Sequence, residues 1–279
     1  MRYLVLGSSG QVGHHLCDYL RNTGDLVIEL DLCLGDEHDL RLPNNEHLAE
    51  AISNCDQVFF LAYDVGGSKY LIEKQKTKEF LDNNIKIMLH TFDAIDKQRK
   101  PFVFASSQMV NDLRSSYGSL KAIGEHYTKI MGGVIAKLWN VYGREDIGKR
   151  SHVITDFIES ALRHKHIKMM TKGDEQRQFL HADDCARGLK TLLDRYNETK
   201  GKEYHLTSFE WTSISSLAVM ISSMVDGCRV TRGAEEDRLQ RDHRLQPDAD
   251  ILSMWKPSIS LQEGLKGMMI GEISPNKMG

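Results

Sequence analysis

The sequence predicts an α/β protein with a Rossmann-type, doubly wound parallel sheet and a smaller C-terminal substrate lobe. Two observations indicate this fold. Short apolar runs alternate with helical patterns through about residue 140, an order typical of parallel strands joined by crossover helices. The first apolar run also leads directly into a glycine-rich turn and an amphipathic helix.

Six segments are expected to form the strands of one sheet. They are rich in apolar and β-branched residues, and turn-forming residues lie near their ends. The predicted strands are residues 3–7, 26–30, 57–62, 101–106, 133–138 and 203–207. After residue 143 the pattern becomes less regular. We therefore expect a nucleotide-binding domain over residues 1–143, to which the strand near 203–207 returns, and mainly a substrate-binding lobe over 144–279.

The turn after the first strand reads Gly7-Ser-Ser-Gly10-Gln-Val-Gly13. Glycines in this context allow a tight turn, a close backbone approach to a pyrophosphate and close helix–strand packing. The following helix N-terminus attracts anions. We therefore expect the turn to bind a dinucleotide. The expected contacts come from Gly7, Ser9, Gly10, Gln11, Val12 and Gly13.

The second predicted strand ends at Asp31, 18 residues after Gly13. A carboxylate at this place can accept both ribose hydroxyls of NAD and would repel the 2′-phosphate of NADP. The residue therefore favours NAD as the cofactor. A solvated turn aspartate is the alternative interpretation.

A candidate catalytic group follows the fourth strand. Ser107 closes that strand, and Tyr117 precedes Lys121 by four residues, which places both side chains on one face of a helix. A free phenol ionises near pH ~10. A nearby ammonium and a cationic nicotinamide ring would favour the phenolate, and a serine hydroxyl could hold the reacting substrate oxygen. This pattern predicts an acid–base site.

Together these motifs resemble the extended short-chain dehydrogenase/reductase family, in its nucleotide-sugar epimerase and dehydratase branch. The resemblance runs nearly end to end. It includes Asn140-Val-Tyr-Gly143 and the closing Trp255-Lys-Pro257 with Gly264-Leu265. We therefore expect a nucleotide-diphosphate sugar as substrate. In relatives, helices near 78–97 and 117–131 form a four-helix dimer interface, so a homodimer is expected.

The resemblance implies roles for a further set of residues. On the cofactor side these are Asp39, Leu40, Leu61, Ala62, Tyr63, Asn83 and Trp139, together with Tyr117 and Lys121. On the substrate side they are Gly66, Gly67, Ser107, Gln108, Asn140, Arg177 and Arg244. Arg177 is expected at the diphosphate. Arg238 and Arg241 are alternatives to Arg244 at the nucleotide.

Departures from the family narrow the activity. Dehydratases place an Asp-Glu pair after the active-site hydroxyl residue, but Gln108 and Met109 stand here, and neither titrates. The 3,5-epimerases of the family place a cysteine where Gln108 stands. Both activities are therefore disfavoured. Only nine residues separate Ser107 from Tyr117, fewer than in relatives, which shortens one wall over the sugar.

The resulting hypothesis is an NAD-dependent nucleotide-sugar epimerase that oxidises and re-reduces the sugar C4 through Ser107, Tyr117 and Lys121. The first alternative is a nucleotide-sugar oxidoreductase, either a 4-keto reductase or a 4-dehydrogenase. A non-catalytic NAD(H)-sensing protein is a third interpretation, which the intact Ser/Tyr/Lys set disfavours.

Composition agrees with this class of enzyme. A chain of 279 residues with 41% hydrophobic and 27% charged residues is ordinary for a globular enzyme. Its net charge of −3 gives no reason to expect a nucleic-acid partner. The five cysteines lack metal-binding spacing, so we expect no metal and reduced thiols in the cytoplasm. No apolar run is as long as a membrane span, and the strand beginning at residue 3 leads us to expect no signal peptide.

Overall fold

A six-stranded parallel sheet forms the centre of the computed structural model, which describes residues 1–112, 114–237 and 246–273. All six predicted strands are confirmed, each with ends within two residues of those expected. In the described residues the strands are β1 Arg2–Leu6, β2 Leu26–Leu30, β3 Gln57–Phe60, β4 Phe102–Ser107, β5 Val134–Leu138, β6 Asn140–Tyr142, β7 His166–Lys168, β8 Gln176–Arg177, β9 Phe179–His181, β10 Glu203–Leu206, β11 Thr212–Ser213 and β12 Arg229–Thr231.

Helices cover both faces of this sheet and build the remaining lobe. In the same residues they are α1 Gln11–Asn22, α2 Glu46–Asn54, α3 Ser68–Lys74, α4 Lys78–Gln98, α5 Ser116–Ile130, α6 Val153–His164, α7 Ala182–Asp194, α8 Tyr196–Thr199, α9 Ile214–Ser222 and α10 Leu261–Ile273. The long helices expected near 78–97 and 117–131 correspond to α4 and α5.

The order of the strands in the sheet is β2–β1–β3–β4–β5–β10, and all of the pairs are parallel. Leu6, the last residue of β1, pairs with Leu30 of β2 on one side and with Phe60 of β3 on the other. The chain therefore reverses its direction of travel across the sheet between β1 and β3. In open α/β sheets, ligands bind in the crevice at such a point, beyond the carboxyl ends of the strands.

Two apolar layers enclose the sheet. On one face, Leu16 of α1 and Leu189 of α7 pack against the buried Tyr3 and Val5 of β1. On the other face, α2, α4 and α5 pack over an aromatic cluster that includes Phe60, Phe92 and Phe104. Helix α7 therefore belongs to the core of the sheet, although it follows residue 143 in the chain.

A third apolar cluster holds the smaller lobe together. Phe157 of α6, Leu217 of α9 and Leu265 of α10 are buried in it. Short strand pairs extend this lobe, with β7 parallel to β12 and β8 antiparallel to β11. The pair β6–β9 follows directly after β5, so it connects the lobe to the carboxyl edge of the main sheet.

Candidate active site

A cleft of about 940 Å³ opens at the carboxyl edge of the sheet and extends into the smaller lobe. Most of the residues predicted from the sequence to bind a cofactor or a substrate line it. These are Gly7, Ser9, Gly10, Gln11, Val12, Gly13, Asp31, Asp39, Leu40, Leu61, Ala62, Tyr63, Gly66, Gly67, Asn83, Ser107, Tyr117, Lys121, Trp139 and Asn140. The structure thus brings most of the residues predicted for the cofactor and for the substrate into one cleft. Which ligand each residue contacts stays a prediction.

The glycine-rich turn is shaped by close backbone contacts. Gly7 has a φ of +85°, and a Cβ there would lie 2.7 Å from the backbone nitrogen of Ala62. A Cβ on Gly13 would lie 2.0 Å from the Gly7 carbonyl oxygen. Larger residues at these two positions would push α1 away from the ends of β1 and β3. The turn therefore presents the first N–H groups of α1, which lack intrahelical partners, to the cleft.

Asp31 lies at the end of β2, opposite this turn. One carboxylate oxygen accepts the Ser9 N–H at 3.0 Å and the other accepts the Cys33 N–H at 3.0 Å. Each oxygen keeps a further lone pair for a ligand. The residue therefore has both the place and the chemistry to bind a ribose diol, and it also stabilises the turn that would hold the phosphates.

Asp39, expected on the cofactor side, belongs to an ion pair that the sequence did not indicate. Arg41 donates from Nε and from Nη2 to the two carboxylate oxygens of Asp39, at 2.8 Å each. These hydrogen bonds hold the pKa of Asp39 below its usual range. Arg41 also donates to Asn83 at 3.3 Å. The Asp39 carboxylate is thus used to position Arg41, which lines the cleft itself.

Tyr117 stands in the first turn of α5, half-buried in the lining of the cleft. The Ser115 hydroxyl caps this helix by accepting the Gly118 N–H at 3.1 Å, so the cap fixes where the phenol lies. Burial raises the pKa of Tyr117 to about 12, and a hydrogen bond with Ser107 opposes the rise. The expected lowering of this pKa therefore requires positive charge beyond what the protein supplies.

Lys121 lies one turn further along α5 and is only 3% exposed. Its ammonium donates to the Ala105 carbonyl oxygen of β4 at 2.6 Å. Burial lowers the pKa of Lys121 to about 7, although the charge of Glu125 acts in the opposite direction. The ammonium form is therefore present below this pKa and is lost as the pH rises through it.

The two serines at the end of β4 point in opposite directions, as successive strand residues do. Ser107 accepts the Met109 N–H at 3.2 Å, and its hydroxyl proton can be donated into the cleft. Ser106 donates instead to Glu125 at 2.6 Å. The geometry thus favours Ser107 over Ser106 as the residue that contacts a substrate oxygen.

Gly66 and Gly67 line the cleft, but packing explains why they are glycines. A Cβ on Gly67 would lie 2.2 Å from the Ser151 carbonyl oxygen, and the Gly67 N–H donates to the Arg150 carbonyl at 2.9 Å. The Arg150 guanidinium donates to Asp64 at 2.9 Å. These contacts fasten the segment before α6 to the segment after β3.

A histidine and a half-buried glutamate form a pair that the sequence did not indicate. His152 Nδ1 lies 2.8 Å from one Glu145 oxygen, and the other oxygen accepts the His152 N–H at 2.7 Å. Burial alone would raise the pKa of Glu145, but its hydrogen bonds with His152 and Thr155 outweigh it and hold that pKa below the usual range. Both members of the pair line the cleft on the lobe side. No local sequence motif marks them, since they meet only through a loop.

Three residues that were predicted to bind the substrate do not line the cleft or lie outside the residues that the structure describes. Gln108 donates to Asn140 at 3.3 Å and so supports a lining residue from behind. Arg177 forms an ion pair with Asp237 and donates to the Gln176 carbonyl at 2.6 Å. Burial lowers the pKa of Arg177. Arg244 lies outside the described residues, as do Arg238 and Arg241, so their roles stay predictions.

These residues fit a dinucleotide cofactor. The glycine-lined turn admits a backbone approach that any Cβ would block, and the Asp31 carboxylate lies across from it. Within the described ranges, no group of three or more His, Cys, Asp or Glu side chains is arranged to hold a metal ion. In the same residues, no helix is both long and apolar enough to cross a membrane.

The chain is similar to known proteins in both sequence and fold. The profile of the NAD dependent epimerase/dehydratase family matches residues 3–206. A Methanocaldococcus jannaschii protein, provisionally named as a UDP-glucose 4-epimerase, is 27% identical over 94% of this chain and 95% of its own.

Two solved structures share the whole fold. The UDP-glucose 4-epimerase of Thermotoga maritima with UDP-glucose has a TM-score of 0.82 at 20% identity, covering 97% of this chain and 98% of its own. The Bordetella bronchiseptica enzyme WbmF in complex with NAD⁺ and UDP has a TM-score of 0.81 at 21% identity, covering 97% and 92%.

The cofactor preference can be tested at Asp31. Replacing Asp31 by asparagine keeps hydrogen-bonding capacity but removes the charge that would repel a 2′-phosphate. We expect the preference for NAD(H) over NADP(H) to narrow by about 1–3 kcal/mol, the scale of a lost charge-assisted hydrogen bond. Fluorescence titration with both cofactors measures it. Asp18→Asn, at an exposed carboxylate on α1, is the matched control. Equal binding of both cofactors by the parent protein would contradict this assignment.

Proposed function

The chain belongs to the NAD dependent epimerase/dehydratase family, and we propose that it is an NAD-dependent nucleotide-sugar epimerase acting at the sugar C4. One observation carries the proposal. Ser107, Tyr117 and Lys121 line the same cleft as the glycine turn and Asp31. A candidate acid–base group thus shares one cleft with a candidate dinucleotide site.

The residues of this chain would act on the hydroxyl at C4. Ser107 holds the reacting oxygen through its hydroxyl, and the Tyr117 phenolate accepts the hydroxyl proton and later returns it. When bound, NAD would supply a hydride acceptor and a positive charge that favours the phenolate. Inversion at C4 would require the 4-keto sugar to turn in the cleft, so that its other face would receive the hydride.

Two observations favour epimerisation at C4 over other reactions of the family. Gln108 and Met109 cannot donate a proton to a leaving 6-hydroxyl, which disfavours dehydration. Asp31 favours NAD, which suits a reaction that regenerates its cofactor in every cycle. A 4-keto reductase or a 4-dehydrogenase is the second candidate, because the same three catalytic residues would serve either.

The substrate proposed is a nucleotide-diphosphate sugar. The cleft continues from Tyr117 past Asn140 to His152 and Phe179 of the smaller lobe, which leaves room for a sugar and its nucleotide beside the cofactor. Relatives whose names include UDP-glucose or UDP support this class of substrate. We also propose a cytoplasmic location, which the five free cysteines support.

We further propose a two-fold homodimer through α4 and α5. Ile85 and Leu89 of α4 are 47% and 43% exposed, and Ile123, Tyr127 and Ile130 of α5 are 46%, 40% and 86% exposed. Their spacing of three or four residues gives each helix an apolar outer stripe. The Tyr127 ring stacks on the buried Phe92 of α4 with ring centroids 5.2 Å apart, so the two helices that carry these stripes pack side by side. Such a surface suits burial against a second copy.

The catalytic assignment is tested by Tyr117→Phe. Only the phenol oxygen is removed, so folding and NAD binding should survive. Single-turnover reduction of bound NAD by UDP-, GDP- and dTDP-sugars should slow by about 10²–10⁴-fold, the usual effect of losing a positioned acid–base group. Tyr127→Phe, on the same helix and outside the cleft, is the control and should keep the parent rate. If Tyr117→Phe reduces the cofactor as fast as the parent protein, another residue is the base.

The dimer is tested by placing a charge on the shared surface. Leu89→Glu would bury a carboxylate between two copies, so light scattering should show a shift from dimer to monomer at micromolar concentration. Lys86→Glu, at an exposed and already charged position of α4, should leave the mass unchanged. A monomeric parent protein at that concentration would contradict the proposal.

A further inference from the structure

The side chain of Tyr63 lies directly over the buried ammonium of Lys121. The lysine Nζ is 3.7 Å from the centre of the Tyr63 ring, 4.9 Å from that of Phe104 and 5.9 Å from that of Tyr117. A cation within about 6 Å of an aromatic face is attracted to it, and more strongly when water is excluded. Three rings thus surround one positive charge, and Tyr63 is the closest of them.

Hydrogen bonding gives this ammonium only partial support. It carries three N–H donors, and in the part of the chain that the structure describes its acceptor is the Ala105 carbonyl. Only 3% of the residue is exposed, so little of its surface is open to solvent. Glu125 favours the charged form of Lys121, but its carboxylate also accepts the Ser106 hydroxyl and lies 3.6 Å from Lys137. The aromatic rings therefore face a charge that the polar groups compensate incompletely.

We propose that Tyr63 is a positioning residue, whose aromatic face stabilises the Lys121 ammonium and fixes it beside the Tyr117 phenol. The Tyr63 ring also packs edge-on against Tyr117, with centroids 5.8 Å apart and an interplanar angle of 81°. One side chain thus fixes both members of the catalytic pair. The inference rests on the proposed function for the roles of Lys121 and Tyr117.

The ring of Tyr63, and not its hydroxyl, carries this role. Among the described residues, the hydroxyl is buried without a hydrogen-bond partner. Burial also raises the pKa of Tyr63, so it stays a neutral phenol near neutral pH. Tyr63→Phe should therefore leave the titration of Lys121 as it is in the parent protein.

The pH at which Lys121 loses its proton depends on the groups that face its ammonium. They are Tyr63 after β3, Phe104 and Ala105 of β4, and Tyr117 and Glu125 of α5. Because burial lowers the pKa of Lys121 to about 7, its charge is lost near neutral pH. Weakening the attraction of the Tyr63 ring should move this loss to lower pH.

The experiment varies the ring while keeping its shape. Phenylalanine, 3,5-difluorophenylalanine and 3,4,5-trifluorophenylalanine are placed at position 63, since fluorine withdraws negative potential from the ring face. The ¹³Cε signal of Lys121, assigned with Lys121→Met, is followed against pH in ¹³C-lysine-labelled protein without added cofactor. The proton affinity of Lys121 should fall stepwise, by about tenfold at the trifluoro ring. The other lysine signals serve as the internal control for folding.

A second readout is the dependence of NADH affinity on pH. The pH at which NADH binding weakens should move down with the Lys121 titration across the same three proteins. If the Lys121 titration is unchanged through the series, the ring only fills space and the proposal is wrong. The titration of Lys121 needs neither substrate nor turnover. A failed epimerase assay would therefore contradict the proposed function but not the role of the Tyr63 ring, so the two proposals can fail separately.

Discussion

The site depends first on how closely the glycine turn approaches the ends of β1 and β3. At Gly13 a single added carbon would overlap the Gly7 carbonyl, and at Gly7 it would overlap the backbone of Ala62. This contact brings the start of α1 to the point where the sheet reverses its strand order. It also places Ser9 where its N–H reaches Asp31. Tight packing without side chains therefore creates the cradle, and the polar groups of the cradle follow from it.

The second constraint is electrostatic. The carboxyl edge of the sheet holds a lysine in a nearly dry environment, which lowers its pKa, and a tyrosine whose pKa burial raises. Both shifts oppose the charged forms that acid–base chemistry uses. Because the pKa of Lys121 is lowered on folding, the unfolded chain binds more protons above pH 7, and this residue's contribution to stability rises with pH over that range. Placing such a group there costs stability, and the role proposed for Lys121 in the reaction would explain why it is tolerated.

Much of this molecule could be predicted from sequence because its strongest signals are local. Each of these patterns lies within one secondary-structure element or one turn. They are the apolar pattern of the strands, the glycine spacing and the four-residue separation of Tyr117 and Lys121. The contacts that escaped prediction join distant segments. Three of these contacts depend on the order of the strands in the sheet. They are the packing of α7 on α1, the hydrogen bond from Arg41 to Asn83, and the contact of the Tyr63 ring with the Lys121 ammonium. The Glu145–His152 pair depends on the path of a loop, which no periodic pattern describes.

The central claim is that hydride leaves and returns to the same carbon. UDP-, GDP- and dTDP-sugars carrying deuterium at C4 can be incubated with the purified protein without added cofactor and followed by NMR. The account predicts that one of them is converted to its C4 epimer with the deuterium retained at C4. Loss of the deuterium to solvent, or a product of unchanged C4 configuration with lasting reduction of the cofactor, would contradict it.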